Sequence, residues 1–186
     1  MRNWLRYMFL LFCFQVGIQN VGAQQIQIDN IREQFFKMGK TQDGALKIYN
    51  TLLKADLSKS PVLLAYRGAS SAAAAGSVSG VWNKLEYFNR GKNELDKAVS
   101  LKPNDIEIRF ARLATQVNAP GFLGYSGNIE SDKGIIIKTL GTVSANDQNL
   151  YLYQQICKFL LAQAKLTNEE KATVNQLVVN FNAKGK

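Results

Sequence analysis

The sequence of 186 residues contains no histidine. This absence excludes serine–histidine–aspartate and cysteine–histidine nucleophile systems, and it removes the side chain that most often ligates transition metals. Two cysteines are present, and Cys13 lies in an apolar N-terminal segment. Cys157 is then left alone in an apolar run, where we expect a buried, unreactive thiol that forms neither an intramolecular disulfide nor a structural zinc site. We therefore predict no metal ion and no cofactor.

Long hydrophobic runs are also absent. The apolar run YMFLLFCFQVGI at 7–18 is too short to span a membrane, which takes about 20 residues. It follows two arginines and precedes the small residues Val-Gly-Ala at 21–23, an order typical of a secretory signal peptide. We predict that residues 1–23 are a signal peptide cleaved near Ala23, and that the mature chain has no stable membrane insertion. An uncleaved signal anchor is the alternative.

Residues 24–186 lack the features of a small domain exported by a eukaryotic cell. They contain one cysteine and no Asn-x-Ser/Thr sequence, so we expect a periplasmic or secreted bacterial protein. The segment holds 21 basic and 14 acidic residues, because two of the arginines belong to the signal. Its lysines are spread along the chain without interleaved aromatic residues, so we predict no nucleic-acid partner.

Helix-start signals recur at a regular interval along the chain. The signals at 60–61 and 103–107 combine a capping side chain with a proline, and their prolines lie 42 residues apart. The pairs of Ser or Thr with an acidic residue at 144–147 and 167–170 have the spacing of further helix starts. This pattern predicts four units of two helices each. The units are 24–59, 60–101, 102–143 and 144–186.

No strand pattern competes with the helical periodicity. The one β-like run, GIIIKTLGTV at 134–143, follows a capped start and is assigned to a helix. The stretch GASSAAAAG at 68–76 is expected to let neighbouring helices approach closely. Helices that pair and stack at a fixed period are the signature of a repeat architecture. We therefore predict an all-α fold, with residues 24–186 forming a single domain built as a short α-solenoid of about four antiparallel helix pairs.

The stretch FNRGKNELDKAVSLKPND at 88–105 resembles the second helix and exit of a tetratricopeptide repeat. Small and large residues stand at the positions where such repeats keep them, followed by a proline. These residues are Gly91, Leu95, Ala98, Leu101 and Pro103. The stretch FFKMGKTQDGALKIYNTLL at 35–53 is similar, with Ala45 and Tyr49 in matching places. The resemblance covers roughly residues 30–165 and implies a tetratricopeptide-like fold, although the interval of about 42 residues exceeds the 34 usual in that family.

A second resemblance covers EIRFARLATQVNAPGFLGYSGNIESDK at 107–133. This stretch is similar to a segment of uncharacterised exported helical-repeat proteins of Bacteroidetes bacteria. The resemblance implies a compartment and a fold, and it implies no catalytic residues.

Three long polar side chains share one face of a predicted helix in the third unit. Arg109, Arg112 and Gln116 follow Asp105 at helical intervals, beside an apolar stripe that begins at Ile106. The arginines can lie on a solvated face or tie down the following loop by hydrogen bonds to its carbonyl groups. Alternatively, they line a groove for a partner's carboxylate or another anion, because the arginine fork suits such groups. We name these three as candidate binding residues.

The segment NAPGFLGYSGN at 118–128 interrupts the helices with three glycines, a proline and two aromatic residues. Phe122 and Tyr125 can pack back onto the helix whose apolar side carries Trp82, Leu85 and Phe88, or face outward as a contact for a peptide or protein. Burial of a phenylalanine side chain is favourable by about 1.5–3 kcal/mol, so we expect the inward position. Phe122 and Tyr125 complete the set of candidate binding residues.

Three carboxylates in the third unit are the remaining candidates for acid–base chemistry of the kind that glycosidases use. Glu107 is, however, expected to close a capping box with Asn104. Glu130 and Asp132 suit the first turn of a helix, where the helix dipole favours anions. We therefore predict no enzymatic activity.

Together these observations predict an exported, non-catalytic helical-repeat module that mediates protein or peptide interactions in the bacterial envelope. Two alternatives stay open. One is an envelope hydrolase or glycan-acting enzyme that uses the carboxylates of the third helix pair. The other is a structural homo-oligomer.

Overall fold

A computed structural model describes residues 28–41, 43–144 and 147–183, and the predicted signal peptide at 1–23 lies outside them. Regular structure within the described ranges is helical, with no strand, which confirms the predicted all-α class. Eight α-helices follow one another in these ranges. They are α1 (28–37), α2 (Gly44–Leu53), α3 (Pro61–Ala74), α4 (Val81–Leu101), α5 (Ile106–Asn118), α6 (Ile129–Leu140), α7 (Leu150–Gln163) and α8 (Asn168–Asn182). In this part of the chain, no helix has the length and apolar character needed to cross a membrane.

Two helix starts lie where the sequence signals predict them. The Ser60 side chain accepts a hydrogen bond from the Leu63 amide, and Pro61 opens α3. The Thr167 hydroxyl accepts from the Glu170 amide at 3.2 Å, and the Glu170 carboxylate accepts from the Thr167 amide at 2.8 Å. This reciprocal pair is the predicted capping box, and it satisfies two amides that the helix itself leaves unpaired.

The other two starts differ from the prediction. Asp105, rather than Asn104, caps α5, because its carboxylate reaches the amides of the two residues after Ile106. Helix α7 begins at Leu150 rather than near Ser144. The Asp147 carboxylate accepts a hydrogen bond from the Asn149 amide at 2.8 Å, so it shapes the turn before the helix instead of capping it.

Helices α3 and α4 are in backbone contact at two glycines, as expected for the small-residue stretch at 68–76. A Cβ atom on Gly91 would lie 2.6 Å from the Ala72 nitrogen and would overlap the Gly68 carbonyl oxygen. One turn earlier on α4, the Tyr87 carbonyl oxygen accepts a hydrogen bond from the Ser71 hydroxyl at 2.9 Å. The small side chains therefore allow α4 to cross α3 at van der Waals distance.

The hydrophobic core joins the odd-numbered helices. Phe35 on α1 packs against Tyr66 on α3, with ring centroids 4.9 Å apart, and against Phe110 on α5 at 6.3 Å. Helix α3 contacts α4 and α5, α5 contacts α6 and α7, and α8 packs on α6 and α7. Cys157 on α7 is fully buried, as predicted, and burial raises the pKa of its thiol to about 11.

Candidate functional site

The three polar residues predicted on one face of α5 converge on a single buried carboxylate, that of Asp132. Arg112 donates to both carboxylate oxygens at 2.8 Å, from Nε to Oδ2 and from Nη2 to Oδ1. Arg109 donates from Nη1 to Oδ1 at 2.6 Å, and Gln116 donates from Nε2 to Oδ2 at 3.2 Å. The anion that the arginine fork receives in this structure is therefore an acidic residue of the same chain.

Asp132 is fully buried, and its surroundings stabilise its negative charge. It lies in the first turn of α6, as predicted, where the helix dipole favours an anion. A buried carboxylate without a cationic partner would cost several kcal/mol, and here two guanidinium groups supply the compensation. Burial by itself would lower the pKa of Arg112, but the hydrogen bond and charge of Asp132 raise it overall, so the arginine stays charged.

The same cluster fixes the second half of the loop between α5 and α6. The Gln116 side-chain oxygen accepts a hydrogen bond from the Asn128 amide at 3.0 Å. Arg112 also donates from Nη1 to the Asp96 carboxylate at 3.2 Å, and that carboxylate accepts from the Tyr125 hydroxyl at 3.1 Å. One of the two interpretations of the arginine stripe was that it ties down the following loop. The structure gives the stripe this role through Asp132 and Asp96 rather than through loop carbonyl groups.

Tyr125 packs inward, as the sequence analysis expects. It is 5 % exposed, and its ring meets Phe88 edge to face with centroids 5.9 Å apart. Burial and the nearby Asp96 carboxylate raise the pKa of the Tyr125 hydroxyl. The ammonium group of Lys92 lies 5.5 Å from the centre of the Tyr125 ring, a cation–π arrangement.

Phe122 does not pack inward, so the expectation for this residue is wrong. It lies in a short 3₁₀ turn, Gly121–Leu123, and 87 % of its surface is exposed. Gly124 ends the turn with φ of 63°, a left-handed conformation that favours glycine. Leu123 and Tyr125 on either side of this glycine pack against the core, and Phe122 is left on the outer side of the turn.

The loop lies along the middle of α4. Helix α5 runs back along α4, because Arg109 near its start donates to the Pro103 carbonyl and Arg112 meets Asp96. Tyr125 in the following loop contacts Phe88 and Asp96, which lie in the central turns of α4.

One face of α4 continues from the loop toward the start of the helix. Residues on this face recur at intervals of three or four positions. They are Val81, Leu85, Phe88, Lys92 and Asp96. Tyr125 covers the last three of these. The first two are exposed, and Trp82 beside them is 83 % exposed.

We call the exposed apolar residues Val81, Trp82, Leu85 and Phe122 the Trp82–Phe122 surface. The sequence analysis placed Trp82, Leu85 and Phe88 on the apolar side of one helix. Phe88 is buried, whereas Trp82 and Leu85 are exposed. Hydrophobic spacing alone cannot show that the helix extends past its neighbours, which is the reason for the difference. Lys84 and Lys92 flank the surface, and neither has a carboxylate within 4 Å among the described residues.

Glu107 belongs to a separate buried cluster and does not cap α5. Its carboxylate accepts two hydrogen bonds from Arg32, from Nε at 2.8 Å and from Nη2 at 2.9 Å. The buried Tyr66 hydroxyl donates to the same group at 2.5 Å. Burial and the Glu107 charge raise the pKa of Tyr66 well above its ordinary value. The cluster connects α1, α3 and α5.

The three candidate carboxylates are thus distributed over different surroundings. Glu107 bonds to Arg32 and Tyr66, and Asp132 bonds to Arg109 and Arg112. The Glu130 side chain is 79 % exposed and pairs with Lys133 at 2.8 Å. Among the described residues, no group of three or more acidic, cysteine or histidine side chains is arranged to hold a metal ion.

The sequence analysis did not recognise Asp96, Arg32 and Tyr66 as parts of these clusters. A buried arginine pair needs an anion, so the α5 stripe signals that a carboxylate lies nearby, but it does not say which one. Asp96 and Asp132 lie 16 and 20 positions from Arg112, so their contact depends on how the helices pack.

Comparison with known proteins adds no relative to this description. No protein-family model, no curated protein and no solved structure matches the chain.

Proposed function

We propose that this chain is an exported, non-catalytic helical-repeat module, a tetratricopeptide-like α-solenoid of four helix pairs, that binds a protein or peptide partner in the bacterial envelope. The observation that carries the proposal is the exposure of two large aromatic side chains, Trp82 and Phe122, at 83 % and 87 %. We take them as parts of one contact surface because Tyr125, in the loop that carries Phe122, packs on the face of α4 that also carries Val81 and Leu85. The all-helical fold and the N-terminal sequence pattern support the architecture and the export.

The exposure of Phe122 is informative because other side chains of the same loop are packed against the core. Tyr125, three positions later, is buried and Leu123 is packed against the core. Keeping a phenylalanine exposed forgoes about 1.5–3 kcal/mol of burial energy. Large exposed aromatic side chains are the groups from which binding hot spots are most often built.

The buried carboxylate cluster prepares the loop for binding. Gln116 holds the loop at Asn128, and Asp96, which is itself bonded to Arg112, holds it at Tyr125, so the backbone that presents Phe122 is ordered before any partner arrives. A preformed contact site loses less conformational entropy on association than a flexible one does. Arg109, Arg112 and Gln116 then act in binding by supporting the loop, and Phe122 makes the contact.

The state of the carboxylates supports a non-catalytic role. Asp132 and Glu107 are each saturated by arginine and other donors. A glycosidase needs two carboxyl groups that face one substrate bond, at about 5–9.5 Å from each other. Asp132 and Glu107 instead face donors of their own chain.

The test is site-directed photo-crosslinking in intact cells of the source bacterium. A photo-reactive phenylalanine analogue is incorporated at position 122, at position 82, or at position 179 as the control. Val179 on α8 is also exposed, at 59 %, but lies outside the Trp82–Phe122 surface. We expect positions 122 and 82 to give the same discrete adduct and position 179 to give none.

Mass spectrometry of the adduct then separates the alternatives. A second protein that disappears from the adducts when Arg112→Ala disorders the loop supports the proposal. An adduct of twice the chain mass would replace it with the homo-oligomer. Equal labelling at all three positions, or no adduct at 122 and 82, would contradict it.

A further inference from the structure

A cavity of about 240 Å³ opens between the α2–α3 connection, α3 and the last turns of α4. Its lining combines apolar and cationic side chains. The residues are Leu57, Ser58, Leu64, Arg67, Lys97 and Leu101. Since Lys97 lies 15 positions after Trp82 on α4, and each position adds about 1.5 Å, the cavity is roughly 22 Å from Trp82.

The three leucines form the apolar part of the cavity wall and differ in exposure. Leu64 is 7 % exposed and lies deepest, Leu57 is half-buried, and Leu101 is 55 % exposed at the rim. A water molecule takes about 30 Å³ of liquid volume, so the cavity has the volume of roughly eight waters. A ligand of about ten non-hydrogen atoms matches this size, which is below that of drug-sized sites.

The charge at the cavity is positive and not fully compensated. Arg67 uses Nε and Nη2 to bind the Glu94 carboxylate at 2.9–3.1 Å, and Nη1 has no hydrogen-bond partner among the described residues. Lys97 has no carboxylate within 4 Å in the same part of the chain. Lys54, Lys59 and Lys102 stand close by in sequence and are also exposed, and they outnumber the exposed carboxylate of Asp56 beside Leu57, so the region attracts anions.

We propose that this cavity binds a small carboxylate that carries an unbranched apolar chain of about seven carbons. The carboxylate is placed between the Lys97 ammonium group and Nη1 of Arg67, where charge-assisted hydrogen bonds are available. The apolar chain lies over Leu57, Leu64 and Leu101. A neutral ligand of the same shape would fill the apolar part and leave both cations without an anion.

The experiment is a two-dimensional amide NMR titration of the full chain with sodium octanoate, which has ten non-hydrogen atoms. For a ligand of this size we expect a Kd on the order of 1 mM, with shifts centred on residues 57–67 and 97–101. Octan-1-ol, which has the same chain without the charge, should bind about tenfold more weakly. Lys97→Gln should weaken octanoate binding about fivefold, and Leu101→Ala should weaken it as well.

The control is Lys138→Gln, which removes one exposed lysine of α6 away from the cavity and should leave octanoate binding unchanged. Octanoate shifts outside the cavity, or equal binding of octanol, would overturn the proposal. Tighter binding of N-acetyl-leucinate than of octanoate would also overturn it, because the site would then recognise the carboxyl terminus of a peptide. These outcomes concern a site about 22 Å from Trp82, so they do not decide the crosslinking test at position 82.

Discussion

Phe122 and Tyr125 belong to one loop, but Phe122 is exposed and Tyr125 is buried. This contrast gives a test at the scale of single residues. Tyr125→Ala removes a buried ring and the hydrogen bond to Asp96. We expect it to lower the free energy of unfolding by about 3–5 kcal/mol. Phe122→Ala removes an exposed ring and should change it by less than about 0.5 kcal/mol. Urea unfolding followed by far-UV circular dichroism measures both.

The two variants are controls for each other, since they truncate aromatic side chains in the same loop. A large loss of stability in Phe122→Ala would mean that the ring packs against the protein in solution. The proposal for the Trp82–Phe122 surface would then fail.

Asp132 gives a second residue-scale prediction. Asp132→Asn keeps the shape of the side chain but leaves Arg109 and Arg112 buried beside a neutral group. Removing one partner of a buried ion pair typically costs about 3–5 kcal/mol, so we expect a loss in that range on urea unfolding.

Glu130→Gln is the matched control for Asp132→Asn, because both acids lie in the first turn of α6. The Glu130 side chain is 79 % exposed, and its partner Lys133 keeps a second carboxylate, Glu170, at 3.2 Å, so we expect a loss of at most about 1 kcal/mol. Similar losses of unfolding free energy in the two variants would show that the buried carboxylate contributes no more to stability than the exposed one.

At the scale of residues, the sequence predicts which side chains share a helix face but not which group they contact. Helical periodicity places Arg109, Arg112 and Gln116 on one face, and in the structure all three donate to one carboxylate. The identity of that group, Asp132, depends on the path of a loop with three glycines. Local propensity does not determine such a path, because glycine permits backbone conformations that other residues avoid.

At the scale of helices, the sequence predicts best where the whole start signal lies within four residues and its capping contacts form. The start of α3 at Pro61 and the capping box at Thr167 have both ends of the signal within four residues, and both are confirmed. The predicted start near Ser144 fails because an Asp-containing turn before α7 has the same residue types as a helix cap. Short-range sequence patterns therefore do not distinguish a turn that precedes a helix from a helix cap.

The crossing of α3 and α4 yields the prediction for this scale. In Gly91→Ala the new Cβ would lie 2.6 Å from the Ala72 nitrogen and 2.8 Å from its Cβ, so the helices must move apart. Overpacking of this kind costs about 1–3 kcal/mol and should lower the urea midpoint.

Gly134→Ala is the control, because Gly134 lies inside α6 with nothing within 4 Å of a Cβ. Alanine has a higher helix propensity than glycine, so this variant should be more stable by up to about 1 kcal/mol. If both variants lose stability equally, the close approach of α3 and α4 is not the cause.

At the scale of the whole molecule, the buried thiol and phenols predict how stability depends on pH. The pKa of Cys157 is raised to about 11 by burial, and those of Tyr66, Tyr125 and Tyr153 are raised as well. The unfolded chain therefore releases these protons at lower pH than the folded chain does. Stability is fully present below about pH 8.5, where the unfolded thiol stays protonated, and it falls as the pH rises toward 11.

Urea midpoints measured between pH 7.5 and 11 test this expectation. Since the sequence has no histidine, we expect little change between pH 6 and 8. Cys157→Ala should reduce the decline between pH 9 and 11 and leave the tyrosine part intact. A midpoint that rises over this range would contradict the assignment.

The cationic side chains are divided by type across the molecule. All five arginines in the described ranges pair with a carboxylate, and the pairs of Arg32, Arg67, Arg109 and Arg112 join different helices or connect a helix to its neighbour. Most lysines in these ranges have no such partner, so lysine supplies the positive surface. The arginine fork holds a fixed geometry better than the flexible ammonium group, which explains the division. The sequence shows the number of each residue type and cannot show this division.

The position of Trp82 has an optical consequence. The sequence contains two tryptophans, and Trp4 belongs to the predicted signal peptide, so in the mature chain the indole of Trp82 would be the only one. Because this indole is 83 % exposed in the folded state, its emission should already resemble that of an indole in water. Denaturation will then be nearly silent in tryptophan fluorescence. A blue shift of that emission, by contrast, reports the moment at which something covers this end of the protein.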